Sequence, residues 1–274
     1  MSKYIVEKVK DFNLDHIFDC GQCFRWERQK DGSYTGIAFG RVVNLRILHS
    51  GDLIIDNCTE EEFEQIWKPY LDLDRDYGQI KEILTRDDAV MRQAVSRGQG
   101  IRILKQDLWE TIVSFIISQN NNIPRIKGCI ENLSTLFGQP AGEYEGRAYF
   151  SVPGPERMAS LTAEELAPVR LGYRTKYLIE TAKMVCDKGL PEDEEQLSAL
   201  CGVGPKVANC ILLFGMGRYD SFPIDVWMAR VMNQLYGIDE GDRNGMTTYA
   251  REHFGELGGF AQQYLFYYIR EKSR

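Results

Sequence analysis

The period of the apolar residues changes once along this chain, near residue 59, and that change limits the fold more than any other feature. Before it, Ile37 and Phe39, then Val43, Leu45 and Ile47, then Leu53 and Ile55 alternate with polar neighbours, as half-buried strands do. Asp31-Gly32, Gly40-Arg41 and Ser50-Gly51-Asp52 punctuate residues 23–57 as the turns of a meander. Beyond it, Thr59 and Glu62 form a capping box that opens a helix through Trp67, and only helices are expected from there on. Strands followed by helices predict an α+β chain: an N-terminal antiparallel twisted sheet, then a mainly helical core.

A length of 274 residues exceeds one simple core. The expected units are residues 1–98 with the sheet, 99–207 ending in a helical hairpin, and 208–274. Asp107 with Glu110 opens a helix whose stripe is Leu108, Ile112, Phe115 and Ile116, and Asn120-Asn121-Asn122 ends it. Pro124 starts another helix, reaching Phe137-Gly138. Gln139–Pro155 reads as the longest loop, with helices after it near Ala163–Ala167, Arg174–Lys188 and Glu192–Leu200.

The segment LCGVGPKVANC, residues 200–210, carries the chemistry. A helix ends at Leu200, the Gly202-Val203-Gly204 turn follows, and Pro205 suits the first position of the next helix. Unpaired N–H groups at such a turn make an anion site suited to a DNA phosphate. Lys206 lies in the first turn of that helix, where the dipole disfavours a positive charge and favours the neutral, nucleophilic amine. Nineteen positions on, in FPIDV, Asp225 is placed to cap a helix Val226–Leu235 that Gly237 ends. At about 1.5 Å per residue the lysine helix carries the chain away by roughly 16–18 Å. Residues 217–224 can span up to about 26 Å, so Asp225 can return to Lys206. Taken singly, a plain helical hairpin, a phosphate-binding lysine and a simple cap remain open readings.

LCGVGPKVANC followed by FPIDVWMARV resembles the signature of the helix-hairpin-helix base-excision DNA glycosylase superfamily. Within it, the similarity to the 8-oxoguanine DNA glycosylase family runs across nearly the whole chain. The resemblance implies a bifunctional glycosylase and abasic-site lyase acting on double-stranded DNA, with Lys206 attacking the sugar C1′ and Asp225 stabilising the sugar cation. GQCFRW implies that the carbonyl of Gly21 reads the N7–H peculiar to the oxidised base. GGFAQQYLFYY implies Gln262 on the Watson–Crick edge and Phe266 on the ring face, with Cys210 opposite. SFIISQNNNIPRI and LGYRTKY imply Asn120, Arg125 and Arg174 on the orphaned cytosine and Tyr173 as the wedge, hence a preference for cytosine. The hairpin carbonyls of Ser198, Leu200 and Val203 are the implied seat of a monovalent cation; no side-chain metal site, no cofactor and a monomer are expected. Cys201 departs from the proline common before the hairpin glycines. Trp227 stands where a phosphate-contacting histidine is usual in the animal enzymes.

Rival readings have sequence costs. Cys20 and Cys23 form a lone Cys-x-x-Cys with no second pair, and none of His16, His49 and His253 has metal-ligand spacing, which disfavours zinc. A redox dithiol expects a βαβ context, whereas strands follow here. No cysteine follows Cys210, which disfavours the iron–sulfur branch that handles oxidised pyrimidines; Lys206 disfavours an alkylated-base glycosylase. A non-catalytic DNA-binding hairpin leaves Asp225 unexplained. The net charge of −7 is uninformative, because residues 52–88 hold 12 acidic and 4 basic residues and the remainder 28 and 29. The longest apolar run, residues 210–214, is far short of a membrane span, and residues 1–10 lack the apolar core of a signal peptide, so a cytoplasmic protein is expected, nucleoid-associated if prokaryotic.

Overall fold

A computed structural model describes residues 2–272, so Met1 and Ser273-Arg274 of the outer units lie outside it. Five antiparallel strands, β1 (Lys3–Val6), β2 (Trp26–Arg28), β3 (Tyr34–Ala38), β4 (Arg41–Ile47) and β5 (Leu53–Asp56), form one sheet in the order β1-β5-β4-β3-β2. The meander β2–β5 falls in the segment whose alternation predicted it. β1 was not anticipated: it adds to the edge by a long-range pairing, Lys3 opposite Asp56 and Val6 opposite Leu53, with Tyr4 stacked on Phe63. Beneath the sheet, Phe18, Trp26, Leu45, Leu53, Trp67 and Tyr70 share one apolar cluster. Trp26 is fully buried and donates from Nε1 to the Tyr70 hydroxyl at 2.7 Å.

The Thr59–Glu62 capping box is present, and the helical path then runs through a π turn at Phe63–Trp67. That turn lies just before Pro69, which has no N–H to continue the α ladder. Two expectations fail further on. Gln139–Pro155 is not a loop, because β6 (Pro140–Tyr144) and β7 (Arg147–Phe150) pair as a hairpin around Glu145-Gly146. Its tyrosines, Tyr144 and Tyr149, close over Ile37 and Val42 on the sheet, so tertiary packing stabilises strands too short and polar to show a period. Ala163–Ala167 forms no α-helix: Pro168 has no N–H to carry an α ladder on, and one 3-10 turn stands at Ala167–Val169. A helix the sequence reading missed, Pro155–Ala159, precedes it.

The remaining helices follow the sequence closely, including Leu108–Ser118, Ile123–Phe137, Arg174–Lys188, Pro205–Gly215 and Val226–Tyr236. They share a large apolar core that also takes in Cys20 and Phe24 from the loop before β2. That loop is locked from two sides. The Gln22 amide donates to the carbonyls of Ile17 (2.9 Å) and Arg102 (2.8 Å) and accepts from Leu104 N–H (2.8 Å). Arg270, on the C-terminal helix Gly258–Lys272, donates to the Asp19 carbonyl at 2.6 Å and its carboxylate at 2.8 Å. The sheet unit thus hands one rigid backbone loop to the helical core.

Candidate active site

The helix Glu194–Ser198 and the lysine helix Pro205–Gly215 are joined by the predicted turn. Gly202 has φ +80°, and a Cβ there would fall 2.5 Å from Tyr177 Cγ, so two independent constraints require glycine. The Gly202 carbonyl accepts from the Gln119 side chain at 3.0 Å, which fixes the turn against the helix Leu108–Ser118. Gly204 caps the lysine helix without a side chain, and neither its N–H nor that of Gly202 finds an acceptor among the described residues. These groups remain available to an anion.

Lys206 points from the first turn of its helix into a cleft of about 760 Å³. Its Nζ lies 3.4 Å from Ser118 Oγ and 5.4 Å from the Phe115 ring centroid. Cys210, four residues on, shares its face, and burial pushes that thiol up, partly offset by the Lys206 charge. Asp225 caps Val226–Tyr236, with Oδ1 accepting from Met228 N–H at 2.8 Å. Its backbone carbonyl accepts from Arg243 at 3.0 Å, and Oδ2 makes no hydrogen bond among the described residues. The chain between them returns as the reach argument requires, pinned by Gly259 N–H on the Tyr219 carbonyl at 2.7 Å.

Lys206 and Asp225 also line a small pocket together with Gly21, Cys210, Gln262 and Phe266. Gly21 adopts φ +79°, and a Cβ there would sit 3.1 Å from Phe266 Cε1. The free volume is only about 50 Å³, and the Phe266 ring lies over Gly21. Cys20 and Cys23 are buried free thiols. Burial pushes Cys20 up to about 12 and Cys23 well above its ordinary value, the reverse of a redox-active thiolate.

The residues expected at the orphaned base are spread more widely. Asn120, at φ +45°, and Tyr173 line the large cleft with Lys206. Tyr173 is 51% exposed and packs edge-on against Tyr177. Arg174 is buried, with its guanidinium donating to the carbonyls of Leu171, Gln119 and Asn120. Arg125 donates to the Arg170 carbonyl at 3.3 Å. Neither arginine is among the residues lining the cleft.

Sequence reasoning gave no site role to Ser118 and Phe115, although both lie in SFIISQNNNIPRI and Phe115 was read only as part of an apolar stripe, and it missed Arg243, which lies in no quoted motif. Trp227, noted only as a departure, is 46% exposed beside Asp225 and lines the cleft. At the hairpin, the carbonyls of Ser198 and Val203 accept no hydrogen bond among the described residues, while that of Leu200 accepts from Val203 N–H. Two free carbonyls and one with a spare lone pair fit a hard monovalent cation.

A lysine behind a glycine hairpin and an aspartate at the next helix cap, sharing one cavity, define a base-excision DNA glycosylase of the helix-hairpin-helix class. Residues 113–256 match the model of the HhH-GPD superfamily of base-excision DNA repair proteins, and residues 4–112 match the N-terminal domain of 8-oxoguanine DNA glycosylase. The chain belongs to the 8-oxoguanine DNA glycosylase family. Among solved structures it is similar to MBOgg1 in complex with a low-affinity DNA ligand, with 47% identity, a TM-score of 0.95 and coverage of 100% of this chain and 97% of that one. The Clostridium acetobutylicum 8-oxoguanine glycosylase/lyase, in complex with double-stranded DNA containing cytosine opposite 8-oxoguanine, gives 43% identity and a TM-score of 0.94 over 99% and 96%. A probable N-glycosylase/DNA lyase of Methanothermobacter thermautotrophicus is 30% identical over 68% of this chain and 69% of its own.

Proposed function

We propose that this protein excises 8-oxoguanine opposite cytosine in duplex DNA and then cuts the strand at the resulting site. The observation that carries the reading is the convergence of Lys206, Asp225, Gly21, Cys210, Gln262 and Phe266 on one cavity. Of the three hairpin residues expected at the phosphate, Gly202 and Gly204 offer their N–H groups to it, whereas Val203 N–H is engaged by the Leu200 carbonyl at 3.1 Å; Tyr173 fills the gap left by the flipped base. A monovalent cation on the carbonyls of Ser198, Leu200 and Val203 would add positive charge beside that phosphate. Arg125, Arg174 and Asn120 hold the orphaned cytosine. Phe266 swings off Gly21 to admit the purine, which then stacks between Phe266 and Cys210.

Gly21 suits recognition of the oxidised base because its missing side chain lets a ring approach the backbone carbonyl. Normal guanine carries no hydrogen at N7, so that carbonyl would face a lone pair instead. As the glycosidic bond breaks, its electron pair leaves with the base and positive charge grows on the sugar, where the Asp225 carboxylate stabilises it. The Lys206 amine, having given up a proton, bonds to C1′; the C1′–O4′ bond then breaks, O4′ taking a proton, which opens the sugar and leaves a protonated C–N double bond that acidifies C2′. Loss of a proton from C2′ then expels the 3′ phosphate by β-elimination. The reading places the protein with chromosomal DNA in the cytoplasm, acting as a monomer and without a cofactor.

Duplexes with 8-oxoguanine opposite each of the four bases test this directly. Free 8-oxoguanine and a β-elimination nick should appear fastest opposite cytosine. Absence of base release, or equal rates opposite all four bases, would overturn it.

A further inference from the structure

The walls of the large cleft carry two cationic side chains, Lys206 and Arg243, and the proposed chemistry occupies the first. The Lys206 amine must be neutral when it bonds to C1′, so it is not a standing counter-charge for a bound strand. The hairpin N–H groups of Gly202 and Gly204 offer dipoles and no full charge. Every nucleotide that enters the cleft nevertheless brings a negatively charged phosphate. Arg243 is the remaining group of opposite sign on those walls among the described residues.

Arg243 opens the helix Arg243–Phe254, which Asp242 caps. It is exposed, and its Nη1 donates to the Asp225 carbonyl at 3.0 Å. The same carbonyl accepts from Ala229 N–H at 2.9 Å, so both of its lone pairs are used. Nε and Nη2 make no hydrogen bond among the described residues. Arg147, Arg218 and Arg270 each pair with a carboxylate, whereas Arg243 makes no ion pair among those residues. A guanidinium carries its N–H donors in a rigid fork that matches phosphate oxygens. Anchored on a carbonyl at one edge, it has less side-chain freedom to lose when an anion meets the other. Arg230 lies differently: it stands over the Trp227 ring, 5.4 Å from the centroid, and does not line the cleft.

We propose that Arg243 is a DNA-binding residue whose free edge takes a backbone phosphate of the lesion-bearing strand while Nη1 stays on the Asp225 carbonyl. One guanidinium then bridges the strand and the backbone of the residue that faces the sugar cation. This inference rests on the proposed action on duplex DNA and adds the charge that neutralises the strand beside Asp225.

The test uses a duplex with a tetrahydrofuran abasic analogue opposite cytosine, which can be bound but not cut. Affinity is measured by fluorescence anisotropy over a series of potassium chloride concentrations. One lost phosphate contact should lower the slope of log affinity against log salt by about 0.9 in Arg243→Gln. Binding should weaken by roughly tenfold, as for the loss of a charged hydrogen bond. Arg243→Ala should behave alike, and Arg243→Lys, which keeps the charge, should recover most of the slope. Arg230→Gln, which removes the same charge away from the cleft, should leave the slope unchanged. Exchanging the phosphates near the analogue one at a time for uncharged methylphosphonates should then locate the contact. One position should weaken the wild-type chain several-fold and leave Arg243→Gln unaffected. Thermal melting reports whether each variant is folded. An unchanged slope in Arg243→Gln, an equal fall in Arg230→Gln, or no position that separates the two chains overturns the proposal. Failure of the wild-type chain to bind the duplex at all would instead defeat the function on which the proposal rests.

Discussion

A single methyl group at position 21 separates two demands on the same residue. Gly21 combines a positive φ with a ring contact in which a Cβ would lie 3.1 Å from Phe266 Cε1. Gly21→Ala should therefore cost about 1 kcal/mol of stability for the backbone alone, read by urea unfolding. Release of 8-oxoguanine should fall by more than about tenfold, because the methyl group stands where the lesion must approach the carbonyl. A variant that excises at the wild-type rate would remove the backbone of Gly21 from the recognition argument. The flanking sulfurs have no comparable part: Cys20 is buried, held up at about 12 by burial, and donates to the Ile17 carbonyl at 3.2 Å.

Helix ends supply the reactive groups, and each has a local and a distant role that substitution can separate. Asp225 caps its helix through Oδ1 and faces the cavity with the rest of the carboxylate. Asparagine caps as well as aspartate, so Asp225→Asn should unfold within a few tenths of a kcal/mol of wild type. Losing the charge should slow base release about 10²–10³-fold in single-turnover assays, and an unchanged rate would leave Asp225 as a cap only. These elements were legible because caps, turns and stripes are local: Gly202, Pro205, Asp225 and Gly237 each mark an element end through their own stereochemistry. The β6–β7 hairpin and β1 were not, because each exists by pairing with or packing on a sheet distant in sequence. The same limit applies at the site. Lys206 and Cys210 share a face by spacing, whereas Ser118, 88 positions from Lys206, meets it only through packing. Arg125 and Arg174 carry motif positions, but their carbonyl partners could not be read from the chain.

At the scale of the molecule, the sheet unit contributes one loop and the helical core contributes the rest of the cavity. Gln22 and the Arg270–Asp19 clasp set how closely that loop approaches the C-terminal helix, and thereby the gap between Gly21 and Phe266. Charge is likewise organised by place rather than by total. Among the described residues, none that lines the cleft comes from the acidic segment 52–88; Asp225 is its one carboxylate, and Lys206 and Arg243 its cations. A duplex therefore meets a local field unlike the net charge of −7. The geometry assigns the covalent step to one amine, and borohydride trapping on a duplex with 8-oxoguanine opposite cytosine tests that assignment most directly. The account predicts a stable protein–DNA adduct with the wild-type chain, and none with Lys206→Gln although that variant still binds the duplex. An adduct that persists in Lys206→Gln, or base release by the wild-type chain with no adduct at all, would contradict it.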